Sequence, residues 1–516
     1  MTEVFLSQDS ASAAAGARDV ERALRASRQT RHDFDLVFTG SRGAYFLEPM
    51  VEVATARGRV AYVRVRAADV GGLLDRGLLE GRPIAPWYAG QTNAIPFLGE
   101  QTRVTFERCG QIAAGSLAAY EAAGGFAPLR RALLDWRPCD IIEEIRRSGL
   151  RGRGGAAFPA AVKWQTAADA DADERFVVAN GDEGDSGAYA DRMLMEGDPF
   201  AILEGMALCA YAINARQGFI YVRAEYPHAR SSMNSAVLAA REAGWLGPAV
   251  MGSGFGFDVE VRSGAGAYVC GEETALLESL EGRRGVVRPK PPYPATHGLF
   301  GKPTVVHNVT TLATLGPIIQ RGGDWYASMG TERSKGTIAL QLGGALRTPG
   351  LVEVPFGISL RRVIQHFGGG VREGRKLLGV QVGGPLGSLL REDQLDIPVD
   401  FESLAAAGAM LGHGGIVAYD DRTDPLELAH RLIEFCAHES CGKCAPCRLG
   451  SQRAAEILDS ALRGEGLAGD EQALDDIAFA MRHASLCALG GMAPLAMQSA
   501  LRLAKRSAQL AQTGGP

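Results

Sequence analysis

Four cysteines near the C-terminus have the spacing of a metal-cluster ligand set. Cys441, Cys444 and Cys447 are each separated by two residues, and Cys487 follows forty positions later, in a chain with nine cysteines among 516 residues. Two intervening residues turn the backbone enough to aim successive thiolates at different irons, and a distant fourth cysteine can complete the set. The spacing therefore predicts a four-iron cluster bound by these four residues.

Spacing alone leaves two other interpretations of these cysteines. A zinc site usually has two separated Cys-x2-Cys pairs, so a compact triplet plus a single cysteine fits zinc less well. Cys436, Cys441 and Cys444 also match the plant-type two-iron spacing. However, Leu432, Ile433 and Cys436 recur at helical intervals, which indicates that Cys436 is a small core residue on a helix. We therefore favour the four-iron interpretation.

The composition is that of a soluble globular protein with three or four domains. The chain is 46% hydrophobic and 22% charged, and its formal net charge of −5 offers no basic surface for nucleic acid. Its N-terminus has no apolar run of signal-peptide length, and its most apolar helical segment, near residues 201–214, is too short to cross a bilayer. We expect a cytoplasmic protein with no nucleic-acid partner and no direct membrane insertion.

Hydrophobic periodicity divides the chain into an N-terminal unit, two mixed units and a helical C-terminal unit. Residues 1–33 are expected to form a frayed or helical lead-in. Residues 34–115 are expected to form a small βαβ unit, with a strand at Asp35, a helical stretch over 45–56 and a strand from Arg59. Strands alternate with helices over 121–335, strands and turns dominate 336–422, and 423–516 are helical. The pattern predicts a multidomain α/β and α+β protein.

The segment Arg151-Gly-Arg-Gly-Gly-Ala-Ala is a relaxed form of the dinucleotide fingerprint. A helix is predicted before it instead of a strand, so an ordinary Rossmann assignment fails. Successive glycines still allow backbone N–H groups to approach a phosphate or a flat ring, with Arg151, Arg153 and Lys163 supplying positive charge. A shorter segment, Gly40-Ser-Arg-Gly, fits either a phosphate cradle or a plain tight turn.

Two acidic loops offer hydrogen-bond acceptors. Asn180-Gly-Asp-Glu-Gly-Asp follows a predicted strand, where ligands commonly bind in open α/β sheets, and its side chains suit ribityl or ribose hydroxyls. A calcium-like or merely solvated acidic loop is the alternative. In the Gly264–Leu276 segment, Glu272 and Glu273 would accept from a ribose hydroxyl and repel a 2′-phosphate, which favours NAD over NADP. Lys290, stiffened by neighbouring prolines, suits an anion contact or belongs to a rigid connector.

In order along the chain, these segments resemble the flavin-bearing, NAD-reacting subunit of respiratory complex I and its soluble diaphorase relatives. The motifs that carry the resemblance are Arg151-Gly-Arg-Gly-Gly, Asn180-Gly-Asp-Glu-Gly, Tyr221-Val-Arg-Ala-Glu-Tyr, Gly264-Ala-Gly-Ala-Tyr-Val-Cys-Gly-Glu-Glu-Thr, Val306-His-Asn-Val-Thr-Thr-Leu, Glu439-Ser-Cys-Gly-Lys-Cys-Ala-Pro-Cys-Arg and Ser485-Leu-Cys.

The resemblance implies two sets of binding residues and a mechanism without a catalytic side chain, because FMN itself transfers the hydride. FMN would be bound by Gly152, Arg153, Gly154, Gly155, Lys163, Asn180, Asp182, Glu183, Asn308 and Thr311. NAD would lie near Phe158, Asp185, Tyr268, Glu272, Glu273, Lys290 and Tyr293. The 4Fe-4S cluster would be held by Cys441, Cys444, Cys447 and Cys487.

The resemblance also implies a fold for each unit. The unit at 34–115 resembles a thioredoxin-like domain without a cluster, since Thr39 and Ser41 stand where cluster cysteines are expected and Cys109 is the only cysteine before 139. The expected domains are a Rossmann-like FMN-binding α/β domain at 121–335, a β-grasp (SLBB) module at 336–422 and a helical 4Fe-4S bundle at 423–516. Two positions depart from the family pattern, namely Asp185, which is a shorter acid, and His307, whose role stays open.

Because nicotinamide exchanges two electrons and clusters pass one, the expected function is a diaphorase that connects NAD+/NADH, FMN and the cluster. A fused thioredoxin-like domain without a cluster resembles the β subunit of soluble, molybdenum-containing, NAD-dependent formate dehydrogenase. Such a chain would form a hetero-oligomer with a molybdenum- and iron–sulfur-containing catalytic subunit and a 2Fe-2S thioredoxin-like subunit. The alternatives are the equivalent subunit of an NAD-reducing hydrogenase or of complex I, and a scaffold that has lost turnover.

Overall fold

Three β-sheets and a C-terminal set of helices make up the computed structural model, which describes residues 1–465 and 469–512. The predicted multidomain α/β organisation is confirmed. Within the described residues, no helix has both the length and the apolar character needed to span a membrane.

The N-terminal sheet has five strands in the order β2-β1-β3-β4-β5, and only the β1–β2 pair is parallel. Its strands are β1 (Thr2–Ser7), β2 (Phe34–Thr39), β3 (Val51–Thr55), β4 (Gly58–Tyr62) and β5 (Tyr88–Gln91). Its helices are α1 (Ser10–Ala14), α2 (Ala17–Thr30), α3 (Val70–Asp75) and α4 (Pro96–Gly99). Helix α2 packs on the sheet because Val20 and Leu24, four residues apart, share one buried face.

Two expectations for this region are wrong. Residues 1–33 are not a lead-in, because β1 lies inside the sheet between β2 and β3 and buries Val4 and Leu6. The helical stretch expected over 45–56 is one 3-10 turn, Tyr45–Leu47, followed by β3. Val51 and Val53, two residues apart, both pack into the same core, as side chains on one face of a strand do. The βαβ unit is therefore β1-α2-β2, and β3 and β4 form an antiparallel hairpin.

The second sheet has four parallel strands in the order β8-β7-β6-β9, and its alternation of strands with helices is the expected α/β pattern. They are β6 (Phe176–Gly181), β7 (Gln217–Val222), β8 (Asp258–Ser263) and β9 (Thr304–Asn308). The surrounding helices are α5 (Leu117–Ala122), α6 (Ala127–Asp135), α7 (Pro138–Ser148), α8 (Ala160–Asp169), α9 (Ala190–Gly197), α10 (Pro199–Ile213), α11 (Pro227–Glu242), α12 (Glu273–Leu280), α13 (Pro294–His297), α14 (Val309–Ala313), α15 (Leu315–Arg321) and α16 (Gly323–Ala327).

Helix α10 is the central helix of this unit and is buried on nearly every side. Gly205 allows it to touch the neighbouring α14, since a Cβ at this position would lie 2.0 Å from the carbonyl oxygen of Leu312. Such close packing holds α14 directly beneath the carboxyl end of the sheet.

The third sheet has five strands in the order β11-β10-β14-β12-β13, in which only β10 and β14 are parallel. They are β10 (Thr337–Gly344), β11 (Gly350–Pro355), β12 (Leu377–Val382), β13 (Leu389–Leu390) and β14 (Gly415–Asp420). The unit's helices are α17 (Leu360–Arg362), which continues as a π-turn to Phe367, and α18 (Phe401–Ala406).

The C-terminal helices are α19 (Pro425–Glu439), α20 (Ala445–Ser460), α21 (Glu471–Ala484) and α22 (Ala488–Gln512). They pack around one apolar cluster of side chains. Cys436 belongs to that cluster and is 1% exposed on α19, which confirms its prediction as a core residue.

The Gly40–Gly43 segment lies where the N-terminal sheet meets the rest of the molecule. A Cβ on Gly40 would lie 2.6 Å from the Cα of Gly197, and Gly43, whose φ is +80°, lies against Leu351. Ser41 Oγ accepts a hydrogen bond from the Gly43 N–H at 3.0 Å. The segment bends at Gly43, and its two glycines serve the close packing between units.

Candidate functional site

Three predicted segments meet at the carboxyl end of the parallel sheet. Asn180 at the end of β6 lies directly opposite Asn308 at the end of β9. The glycine loop between α7 and α8 approaches the same edge, where the Arg153 N–H donates a 2.9 Å hydrogen bond to Thr311 Oγ1. A Cβ on Gly154 would lie 3.0 Å from the Cβ of Asn308. The fold thus assembles one site from segments up to 158 residues apart in sequence.

The glycine loop leaves its backbone open to a ligand. Gly154 is exposed, and Gly155 adopts a φ of +104°, a left-handed conformation that favours glycine. A Cβ on Gly155 would lie 3.5 Å from the backbone of Gly412, in the turn before β14. Gly154 and Gly155 therefore place no side chain between their backbone and a ligand, as the approach of a phosphate or a flat ring requires.

Arg153, predicted as a cofactor contact, uses its side chain to hold the loop. The guanidinium is buried and donates to the Tyr326 hydroxyl at 2.7 Å and to the Lys335 carbonyl at 3.0 Å. It also lies over the Phe356 ring, 4.8 Å from the centroid. Its charge is therefore used within the protein, and its N–H and carbonyl contact Thr311 and His413.

In the acidic loop after β6, some side chains make structural hydrogen bonds within the protein. Asn180 Nδ2 donates to the Gly271 carbonyl at 2.8 Å, and its Oδ1 accepts from the Asp182 N–H at 3.0 Å. Glu183 is buried and accepts from the backbone N–H groups of Asp191 and Arg192 at the start of α9, at 3.0 and 3.1 Å. Its carboxylate therefore stabilises that helix terminus.

Asp182 has a buried carboxylate oxygen that could bind a group of the ligand. Its Oδ2 is buried and, within the described part of the chain, has no hydrogen-bond partner. Burial raises the pKa of Asp182 to about 7. An orphaned oxygen at the carboxyl end of a parallel sheet fits a ligand that brings a hydroxyl group.

We expect Asp182→Asn to stabilise the flavin-free protein at pH 8 while weakening FMN binding by about tenfold. A carboxyl whose pKa is raised on folding binds more protons in the folded state, so stability falls as the pH rises from about 4 to about 7. The amide removes that loss but also removes the carboxylate acceptor. Thermal melts at pH 5 and pH 8, with FMN titration, measure both effects.

The exposed Asp171→Asn variant, outside the site, is the control for the change of charge. If the difference in Tm between Asp182→Asn and wild type were the same at pH 5 and pH 8, the role of the buried Asp182 carboxyl would be contradicted.

Glu273 lies between two lysines at the predicted dinucleotide side. Its carboxylate accepts from Lys163 at 3.1 Å and from Lys290 at 3.2 Å. Burial alone would raise the pKa of Glu273, but Lys163 and Lys290 outweigh it and lower the pKa. Lys163 also donates to the Val306 carbonyl at 2.9 Å, and Lys290 forms a 2.7 Å ion pair with Glu272. These charges form one network across the site.

We expect Glu273→Gln to raise the ratio of kcat/KM for NADPH to that for NADH by about tenfold. The substitution removes the acid that repels a 2′-phosphate, and it also frees part of the charge of Lys163 and Lys290. Steady-state kinetics with both nucleotides measure the ratio. Glu427→Gln on the exposed start of α19 is the matched control, and an unchanged ratio in Glu273→Gln would reject the role of Glu273.

Phe158, Tyr293 and Glu272 are also predicted to contact the dinucleotide, and the region that they share with Glu273 is called the dinucleotide opening. Phe158 and Tyr293 are 49% and 58% exposed, which suits aromatic rings that await a stacking partner. Glu272 is the N-cap of α12 and accepts from the N–H of Thr274 at 2.9 Å, so it holds the start of that helix.

Tyr268 joins this opening to the C-terminal helices. Its hydroxyl donates to Asp185 at 2.8 Å, and its N–H donates to Glu439 at 3.0 Å. Its ring meets Phe435 edge-on at 5.0 Å. Burial raises the pKa of Asp185. The hydrogen bond from Tyr268 shows that this shorter acid still makes a contact at the site, although it departs from the family pattern.

The four predicted cysteines line one small cavity. They surround it together with the apolar side chains of Val269, Val287, Leu486 and Leu489. Ser440 Oγ lies 3.3 Å from Cys447 Sγ, within reach of a hydrogen bond to sulfur. Four thiols that converge on an apolar cavity fit a cubane cluster, whose potential depends on burial and on hydrogen bonds to sulfur.

Sequence reasoning missed His413 and Asp191. His413 lies 3.2 Å from Asp191 and 3.3 Å from Glu183, and it precedes β14 in the third sheet. Its signal is a histidine flanked by glycines, in Gly412-His413-Gly414-Gly415. His307, whose role the sequence leaves open, is structural because its Nε2 accepts from Trp164 Nε1 at 2.7 Å in the core.

Comparison with known proteins agrees with this geometry. Residues 145–316 match the family model described as the Nuo51 FMN-binding domain, and residues 427–508 match the NADH-ubiquinone oxidoreductase-F iron-sulfur binding region. The second F-type subunit of the NADH-quinone oxidoreductase of Rhizobium meliloti (strain 1021) is 45% identical over 386 residues, which are 75% of this chain and 92% of that protein. The chain belongs to the family of NADH-quinone oxidoreductase F-type subunits.

Members of this family are components of larger enzymes. NADP-reducing hydrogenase subunit HndC of Solidesulfovibrio fructosivorans is 45% identical over 395 residues, covering 77% of this chain and 80% of that protein. A crystal structure of an air-oxidised NAD+-reducing NiFe-hydrogenase matches with a TM-score of 0.67 and 30% identity, over 100% of this chain and 88% of that one. This member of the F-type family is a diaphorase subunit that uses FMN, a 4Fe-4S cluster and NAD(H).

Proposed function

We propose that this diaphorase subunit reduces NAD+ with electrons from formate that is oxidised in a molybdenum- and iron–sulfur-containing partner subunit. A 2Fe-2S thioredoxin-like subunit would be a further partner in the hetero-oligomer. The observation that carries the diaphorase role is the contact through Tyr268, which joins the dinucleotide opening to the helices around the cysteine cavity.

The FMN site we propose consists of the glycine loop, the acidic loop and the start of α14. The backbone of residues 152–155 would receive the phosphate or the ring, and Asp182 would accept a ribityl hydroxyl. Thr311 fixes the loop by accepting from the Arg153 N–H, and Asn308 caps α14 by accepting from the Thr310 N–H at 2.8 Å. When bound, FMN exchanges a hydride with nicotinamide and single electrons with the cluster.

On the dinucleotide side, side chains orient the nucleotide and set its charge preference. Phe158 and Tyr293 would stack on its rings. Glu273 would accept from the adenosine ribose, while Lys290 would contact the pyrophosphate, and Lys163 balances the acid from the flavin side. Asp185 and Tyr268 hold each other in place at the inner end of the opening.

Cys441, Cys444, Cys447 and Cys487 would hold the cluster beside the C-terminal helices. Tyr268, Cys444 and Cys487 all pack against the apolar core of the C-terminal helices, which supports a short path between the two cofactors. Apolar neighbours of the cysteine cavity would keep water from the cluster.

Strand order supports the finer domain assignments. The order β2-β1-β3-β4, with β1-α2-β2 as a parallel unit, is consistent with a thioredoxin-like domain. The order β11-β10-β14-β12-β13, with parallel central strands and a helix after the first hairpin, is consistent with a β-grasp module.

The N-terminal unit supports the formate proposal. Thr39 and Ser41 are buried at 3% and 0% exposure where that domain type carries cluster cysteines, and Cys109 is also buried. A unit without a cluster on this chain is the feature that resembles the formate dehydrogenase subunit. The match to the NAD+-reducing hydrogenase over the whole chain supports the second candidate, a hydrogenase diaphorase.

Purification of the native complex through a tag on this chain separates the two candidates. Formate-dependent NAD+ reduction, with molybdenum in the complex, is the expected result. Hydrogen-dependent NAD+ reduction, with nickel in the complex and no response to formate, would contradict the formate proposal and support the hydrogenase.

A further inference from the structure

A buried histidine from the third sheet reaches the flavin side of the molecule. His413 is 9% exposed and stands in the glycine turn before β14. Gly412 has a φ of +56°, and a Cβ on Gly414, whose φ is +82°, would lie 2.2 Å from the Ala339 carbonyl oxygen. Glycines on both sides thus fix the backbone and direct the imidazole to one place.

Both ring nitrogens of His413 face acceptors. Nδ1 lies 2.8 Å from the carbonyl oxygen of Arg153, and Nε2 lies 3.2 Å from Asp191 and 3.3 Å from Glu183. Carbonyl and ionised carboxylate oxygens only accept. Nε2 is not aligned for a hydrogen bond with either acid, but its ion-pair distance to both favours a hydrogen on each ring nitrogen, which makes the ring an imidazolium. Burial alone would lower the pKa of His413, but Asp191 and Glu183 outweigh it and raise the pKa well above its usual value.

His413 contacts two segments of the flavin site directly and the third through Asp191. Arg153 is in the glycine loop, and Glu183 is in the acidic loop. Asp191 in turn accepts from Asn308 Nδ2 at 2.7 Å, which connects the third segment. One cation therefore balances two carboxylates and joins the segments.

Neighbouring hydroxyl groups also donate hydrogen bonds to the carboxylates of Asp191 and Glu183. Asp191 accepts from Thr310 Oγ1 at 2.9 Å, and Glu183 accepts from the Tyr226 hydroxyl at 3.2 Å. The three side chains also have the types and spacing of a metal site. Both acids already accept from donors of the protein, namely Thr310, Tyr226 and the backbone at the start of α9, and this favours a proton over a metal ion.

We propose that His413 is a positioning residue of the flavin site, whose imidazolium holds the glycine loop, the acidic loop and Asn308 in the arrangement that binds FMN. This inference rests on the flavin site proposed above. Through this contact, the third sheet would control flavin affinity without touching the flavin. The loss of the cation would leave Glu183 and Asp191 to repel each other in a buried place.

Equilibrium titration of flavin-depleted protein with FMN tests the proposal. We expect His413→Gln to weaken FMN binding by about tenfold or more, and His413→Lys, which keeps the charge, to restore most of the affinity. His366→Gln is the matched control, since His366 is on the same unit but half-exposed and paired with Glu100. It should leave the affinity unchanged.

The pH dependence of Tm distinguishes the effect of the charge of His413 from the effect of its packing. A histidine whose pKa is raised on folding contributes its full stabilisation below about pH 6.5, and this is lost as the pH rises through the folded value. The difference in Tm between wild type and His413→Gln should therefore shrink towards alkaline pH. A difference that stays constant with pH would overturn the charged role.

The possible outcomes are distinguishable. Wild-type protein that fails to bind FMN contradicts the proposed function itself. Wild-type protein that binds FMN while folded His413→Gln binds it equally well overturns only the role of His413. Should His413→Gln not fold, His413→Lys decides, because a folded lysine variant with strongly weakened FMN binding also overturns the proposal.

Discussion

Replacing Cys444 with serine is expected to abolish electron transfer to partner subunits while NADH oxidation by an artificial acceptor stays within about twofold of wild type. Cys444 is the N-cap residue of α20 and lines the cysteine cavity, which is formed mainly by the C-terminal helices. The segments proposed for FMN come from the parallel sheet and the loop before α8. The loss of a ligand should therefore remove the cluster and leave the flavin reaction.

Iron analysis, EPR spectroscopy of the reduced protein and the two activities measure this separation. Loss of transfer to the partner should be about a hundredfold or more. Cys139→Ser is the control because Cys139 is exposed on α7 and lies outside the cavity. An equal loss of both activities in Cys444→Ser, with flavin still bound, would contradict the proposed order of the cofactors.

Replacing Gly155 with valine is expected to reduce bound FMN to about a tenth of the wild-type content or less. A β-branched residue is strained at a φ of +104°, and its side chain would lie against the backbone of Gly412. The FMN content of purified protein and reconstitution with added FMN measure the effect.

Gly244→Val is the matched control for Gly155→Val. Gly244 also has a positive φ, +79°, but open space surrounds its Cβ position, after α11 and away from the site. Both variants should lose some stability through backbone strain, whereas only Gly155→Val should lose FMN. Normal FMN content in folded Gly155→Val would contradict the role of the glycine loop.

The parts of this molecule that the sequence can predict are those with a strong local signal. The four cysteines announce their chemistry by spacing, and the structure brings them to one cavity. The strand before Asn180 is a short apolar run followed by a polar loop, so Asn180 can be expected at the carboxyl end of a strand, and the structure places Asn308 opposite it. In both cases, local pattern and tertiary position agree.

The wrong predictions in the N-terminal unit have a local cause. Residues 2–7 form a short strand before an alanine-rich segment, and the pattern of that segment obscures the strand. Residues 51–55 resemble the continuation of a helical stretch, although Pro49 disfavours a helix before it. Pairing with β1 and β4 decides that segment in the folded protein.

Other features depend on contacts that no local pattern contains. The sequence predicts that Arg153 faces the cofactor, but its guanidinium meets Tyr326, which is 173 residues away. His413 meets Arg153 across 260 residues, from a different sheet. Such pairs follow from the packing of whole units, so the sequence supplies the candidate residues but not the direction of their side chains.

Anaerobic titration of the purified, fully loaded protein with NADH tests the central claim most directly, with flavin absorbance and cluster EPR followed in the same sample. We predict that NADH decreases the flavin absorbance and produces the EPR signal of a reduced 4Fe-4S cluster, and that Cys444→Ser shows only the first change. A protein that contains FMN and iron but whose flavin absorbance does not change with NADH would contradict the account and support a scaffold without turnover.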